Sequence, residues 1–127
     1  MTTSNSDSRR AAMAESGVPS DILQAMSALR DVQHCALAVY GRLEPERALN
    51  WTLEELGELA KVIRREESSG RVEEELGQLT AWMFCLANIL DVDLASAVES
   101  AITEEIERQL TKYGKLTPYH PGRRPGD

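Results

Sequence analysis

With 127 residues, 42% of them hydrophobic, the chain can bury one real core but not two. A formal charge of -7 and a pI near 4.9 argue against a nucleic-acid polymer or an anionic membrane surface as partner, because both want a basic face. No window holds the roughly 18 apolar residues of a membrane span, and the polar stretch Met1–Arg10 lacks the apolar segment of a secretory signal; the expected location is cytoplasmic.

Residues 1–18 carry Ser, Thr, Ala and Arg without periodicity and are expected to form a flexible N-terminal tail. A first helix should follow, with Ser20 as N-cap and Asp21 in its first turn, complementing the helix dipole. Its stripe is Ile22, Met26, Leu29, Ala36 and Tyr40, and it should end near Gly41 with Pro45 as a stop signal. A second helix is expected from Asn50 or Thr52 to Glu67, opened by a Thr52–Glu55 capping box and buried along Leu53, Leu56, Ala60 and Ile63, with Leu59 flanking. At roughly 100° per residue, Glu54, Glu55 and Glu58 then occupy an arc pointing away from that stripe.

The third helix should run from Val72 to Leu90 on Val72, Leu76, Leu79, Met83, Leu86 and Leu90, with Glu75 at the stripe's edge beside Gln78 and Trp82. Asp93 caps a fourth helix reaching Tyr113, lined by Leu94, Val98, Ile102, Ile106 and Tyr113. Glu105 falls in the middle of this last stripe, which an Arg108 pairing or a pocket would explain. Residues 114–127, rich in Pro, Gly and Arg, read as a flexible C-terminal tail. The expected architecture is all-α, one helical domain over residues 19–113. Cys35 and Cys85 fit small buried hydrophobes in a reducing compartment, and His34 and His120 lack ligand-spaced partners for zinc.

One phrase occurs twice. Residues 54–59 are Glu-Glu-Leu-Gly-Glu-Leu and residues 74–79 are Glu-Glu-Leu-Gly-Gln-Leu, separated by the turn-like Ser68-Ser69-Gly70. Two helices joined by a short loop pack antiparallel, so the acidic clusters can face one another, and carboxylates from facing helices are a means of holding Mg²⁺. Gly57 and Gly77 occupy equivalent places, each costing about 1 kcal/mol against alanine, and close approach of the two helix backbones would account for them.

Leu53-Glu-Glu-Leu-Gly-Glu-Leu-Ala60, Glu74-Glu-Leu-Gly77 and Leu86-Ala-Asn-Ile-Leu-Asp-Val-Asp-Leu94 together resemble the MazG-like nucleotide pyrophosphohydrolases. The resemblance covers residues 22–113 and implies a four-helix-bundle-like fold assembled as a dimer or dimer of dimers, a homodimer or homotetramer. It implies cleavage of a nucleoside triphosphate to the monophosphate and pyrophosphate, with carboxylates holding Mg²⁺ (or Mn²⁺) while an oriented water attacks. Carried onto this chain, the metal set is Glu54, Glu55, Glu58, Glu75 and the position of Gln78, with Glu54 or Glu55 also orienting the water. Gln78 stands where the family has Asp. Ala101 and Glu105 stand where it commonly has Lys and Asn, and Arg108 is retained.

Arg108 is placed either on phosphate or on Glu105, and Lys61 either in a helix-surface ion pair or on phosphate. Trp51 and Trp82 fit a core better than a base, although Trp82 is kept with Arg108 and Lys61 as a substrate contact. Three functions remain in view. An enzyme of reduced or altered activity is favoured by the intact first cluster, and a degenerate oligomeric nucleotide-binding or regulatory protein by Gln78, Ala101 and Glu105. A purely structural bundle would leave the doubled motif a coincidence.

Overall fold

Gly41 and Pro45 punctuate the first half of the chain. In the computed structural model, which describes residues 7–8, 10–11, 14–15 and 22–121, α1 spans Ile22–Tyr40 and stops at Gly41. Gly41 adopts φ +67° and donates to Leu37 O at 2.9 Å, a left-handed closure that glycine takes at little cost. Ser20, Asp21 and residues 122–127 lie outside the described residues. Pro45 does not merely follow α1. It is the first residue of α2 (Pro45–Arg64), behind an extended Glu44, where its missing N–H is no loss. Thr52 is therefore no cap: it lies inside α2, buried, with its hydroxyl donating to Ala48 O at 2.8 Å.

Helix α3 spans Ser69–Ile89 and is capped by Ser68, whose side chain accepts from Arg71 N. Helix α4 spans Leu94–Tyr113, with Asp93 Oδ1 accepting from Ser96 N at 3.4 Å as expected of its cap. Among the described residues the chain is all-α, with four long helices and no strand. No single helix among them is long and apolar enough to cross a membrane.

Two compact units make up the chain, one being Ala25–Ala97 and the other Val98 onward together with the N-terminal residues to Gln24. The first is organised by the α2–α3 hairpin. Trp51 meets Trp82 and Glu55 meets Glu75, so moving up α2 means moving down α3, and the pair is antiparallel. Its loop turns at Glu66, φ 51°, with Glu67 N donating to Val62 O.

The buried stripe of α2 differs from expectation by one residue. Ala48, Thr52, Leu59 and Val62 are buried and Glu55 is half-buried among them, a three-and-four repeat. The larger apolar set is outside, with Leu53 57%, Leu56 50% and Ile63 59% exposed. On α3 the same happens to Leu76 and Met83, and to Leu90 just past its end, whereas Glu75, Phe84, Cys85, Ala87 and Asn88 are buried. Ile102 on α4 and Tyr40 on α1 are likewise exposed, and Cys35 is exposed where burial was expected. Gly57 and Gly77 are not close-approach sites: a Cβ at either would meet nothing within 4 Å.

A buried amide clamp joins α1 to the α3–α4 turn. Gln33 Nε2 donates to Asn88 Oδ1 at 3.1 Å and to Val92 O at 2.8 Å, while Gln33 Oε1 accepts from Leu94 N at 3.0 Å. Asn88 Nδ2 returns a bond to Gln33 O at 3.1 Å. Leucine at position 33 would match the volume but orphan buried polar groups, so Gln33→Leu should cost about 1–3 kcal/mol in urea unfolding.

In the second unit, residues 114–121 attach to α4. Thr117 N donates to Gln109 Oε1 at 2.6 Å and the Tyr119 hydroxyl donates to Glu105 Oε1 at 2.7 Å.

Candidate active site

Because the inward stripe of α2 includes position 55, its first acidic cluster is split between two directions. Glu55 turns into the hairpin, where it meets Glu75 of α3. Glu75 is 5% exposed. The two carboxyl groups lie within hydrogen-bonding reach when one of them carries a proton. Burial, then the hydrogen bond to and charge of Glu75, then the charges of Glu58 and Glu54 push the Glu55 carboxyl above its ordinary range. Apart from a proton that the two carboxyls could share, Glu55 Oε2 and Glu75 Oε2 are both buried with no hydrogen-bond donor. Buried oxygens of this kind are costly and want a cation or a proton. Their hard-oxygen chemistry suits a divalent ion such as Mg²⁺.

Arg71, one turn before Glu75 on α3, forms an ion pair with its other oxygen, Nη2 lying 3.2 Å from Glu75 Oε1, and its Nη1 donates to Glu74 Oε2 at 2.9 Å. This cation was not foreseen, although the four-residue spacing to Glu75 is the ordinary signature of a helix-surface ion pair.

The remaining expected residues disperse. Glu54 is exposed and lines a cleft of about 340 Å³ with Glu44, Glu46, Arg47, Asn50 and Trp51. Glu58 is exposed one turn beyond Glu54 on α2, and Lys61 is half-buried a further turn on. Gln78 is exposed and lines a cleft of about 510 Å³ with Tyr40, Gly70, Glu73, Glu74 and Gly77 among others. Among the described residues no three His, Cys, Asp or Glu side chains converge closely enough to hold an ion.

Trp82 is half-buried in an aromatic cluster, its ring centroid 5.2 Å from Trp51 and 5.8 Å from Tyr40, and Arg47 lies 5.9 Å from the Trp51 ring. Arg108, in the second unit, is engaged by Glu105 through two bonds, Nε to Oε2 at 2.8 Å and Nη2 to Oε1 at 2.7 Å. Gln109 Nε2 and the Tyr119 hydroxyl also donate to Glu105 Oε1. Arg108 first, then Gln109 and Tyr119, hold this carboxyl well below the usual range. Of the two roles open to Arg108, the structure displays the pairing with Glu105.

The family model for the MazG nucleotide pyrophosphohydrolase domain matches residues 43–112, more than half of the chain. The protein belongs to that family. Comparison with curated proteins and with solved structures finds no match.

The raised Glu55 carboxyl has a definite consequence for the metal-free protein. A carboxyl whose pKa is higher folded than unfolded destabilises the fold when ionised; the penalty is full above the folded value and absent below the unfolded value of 4.5. Glu55→Gln in EDTA should therefore melt a few degrees above wild type at neutral pH. The gain should vanish by about pH 4, below the unfolded carboxyl value; thermal melts across pH check this.

Proposed function

We propose that this chain is a nucleoside triphosphate pyrophosphohydrolase that works with Mg²⁺ or Mn²⁺ and releases the monophosphate and pyrophosphate. The observation that carries the reading is the pair of buried, unpartnered oxygens on Glu55 and Glu75, which lie in the two acidic runs that define the family pattern. Glu55 and Glu75 would hold the ion, with Glu58 and Glu54 added from the exposed side of α2. Gln78 would offer a neutral carbonyl oxygen, a weaker donor to a hard cation than the family's Asp, and so a slower enzyme. When bound, a divalent ion neutralises phosphate charge and stabilises the charge that builds in the transition state.

The chain's own residues supply the rest. Glu54, exposed and facing a cleft, would orient the attacking water, with Glu55 as the alternative base. Lys61, on the same helix, would meet the phosphates, and the half-buried Trp82 would offer its face to the base. Arg108 is assigned to Glu105 rather than to the substrate.

Assembly as a homodimer or homotetramer belongs to the same reading, supported by the exposed stripe of Leu53, Leu56 and Ile63 on α2 and by Leu76 and Met83 on α3. Glutamate at Leu56 and Ile63 together should lower the sedimenting mass to that of a monomer, and an unchanged mass would sink this assembly surface.

A second reading, a degenerate nucleotide-binding or regulatory member of the family, is favoured by the dispersal of Glu54, Glu58 and Gln78 away from the Glu55–Glu75 pair. Pyrophosphate release from a panel of standard and modified nucleoside triphosphates separates the two. Metal-dependent release that falls by about 10²-fold or more in Glu58→Gln and Glu75→Gln is expected. Silence from wild type with a gain in Gln78→Asp would leave a lapsed enzyme. Silence from all, with no nucleotide hydrolysed under either metal, would leave the binding protein.

A further inference from the structure

The acidic site already contains a cation of its own. Arg71 bridges a solvent-side carboxylate and a buried one: Nη1 lies 2.9 Å from Glu74 Oε2, and Nη2 lies 3.2 Å from Glu75 Oε1. The Glu74 side chain is 52% exposed and the Glu75 side chain 7%. Glu75 Oε2 remains buried and without a hydrogen-bond partner, as does Glu55 Oε2. A glutamate's terminal torsion is broad, so an untethered carboxylate can present either oxygen or both. The planar guanidinium limits that freedom, because one arm hydrogen-bonds Glu74 while the other forms an ion pair with Glu75 Oε1.

We propose that Arg71 is a positioning residue for Glu75: by holding Oε1 it leaves Oε2 as the oxygen that ligates a divalent cation, so that Glu75 binds through a single atom in a set orientation. This rests on the metal reading above and adds to it a residue outside the acidic motifs. Orientation matters more here than in a site rich in ligands. Gln78, one turn after Glu75, brings a neutral amide, and Glu75 is the α3 carboxylate that meets Glu55. Partners that hold a ligand's distal atom typically change metal affinity by about 10–100-fold when removed. Lysine cannot substitute fully, since one ammonium on a flexible stem lacks the fork that spans both carboxylates.

The test is Mn²⁺ binding to the full chain by calorimetry, with melts in EDTA alongside, for wild type, Arg71→Ala, Arg71→Lys and Glu74→Gln. Arg71→Ala should weaken Mn²⁺ by about 10–100-fold, Arg71→Lys should recover part of the loss, and Glu74→Gln should lose less than Arg71→Ala. A folded Arg71→Ala that binds Mn²⁺ as tightly as wild type overturns the proposal, even where its metal-free melting point falls, since that is a purely structural role. Should Arg71→Ala fail to fold, wild-type affinity in both Arg71→Lys and Glu74→Gln overturns it instead. Wild type that binds no Mn²⁺ sinks the metal reading itself, a result distinct from intact binding that ignores Arg71.

Discussion

Two carboxyl groups face each other inside the α2–α3 hairpin, and much of the first unit is arranged around that constraint. Burying Glu55 against Glu75 is unfavourable while both are ionised, because like charges at short range in a poorly solvated place repel. The chain manages the conflict locally. Glu55 is pushed toward its protonated form, and Arg71 stands on the outer oxygen of Glu75. Two oxygens are still unmatched. The unmatched polar groups of the hairpin are thus concentrated at one place, on a face of α2 whose other inward residues are Ala48, Thr52, Leu59 and Val62.

Helix α2 has two heptad stripes set one residue apart. The one that turns inward is the poorer in large apolar groups, and the richer one, Leu53, Leu56 and Ile63, faces out. Periodicity favours the richer stripe as the buried one. In the structure the register of Thr52, Glu55 and Leu59 faces inward instead. Leaving several half-exposed leucines and isoleucines in a row is unfavourable in water, at about 25 cal/mol per Å² of apolar surface. The same register argument covers Leu76 and Met83 on α3.

In the second unit an acid sits where the helix pattern wants an apolar residue, and the solution is the reverse of the first. Glu105 accepts from Arg108, Gln109 and Tyr119, so its charge is satisfied outright. A carboxylate so well supplied with donors is structural: it fastens Tyr119 to α4 and occupies Arg108. Glu55 and Glu75 differ from Glu105 in having too few donors, and that contrast, more than acidity, marks them out.

Local chemistry determined a good deal from sequence alone: four helices, the closure at Gly41, the cap at Asp93, the turn around Ser68, and the family, which follows from the doubled Glu-Glu-Leu-Gly phrase and the Leu-Ala-Asn to Asp-Leu segment. These depend on residues within a few positions of one another, where backbone geometry leaves little choice. Pairing between Arg108 and Glu105 was one of two roles that the sequence left open, and the structure displays it. What only the tertiary structure decided was the rotation of each helix about its axis. Turning α2 by one residue moved Glu55 from an outward arc to the hairpin's interior, exposed Leu53 and Leu56 and left Gly57 facing open space, while the rotation of α3 buried Glu75 and left Gly77 open. A shift of roughly 100° leaves the helical pattern intact, so the sequence carries both registers, and packing against α3 selects between them.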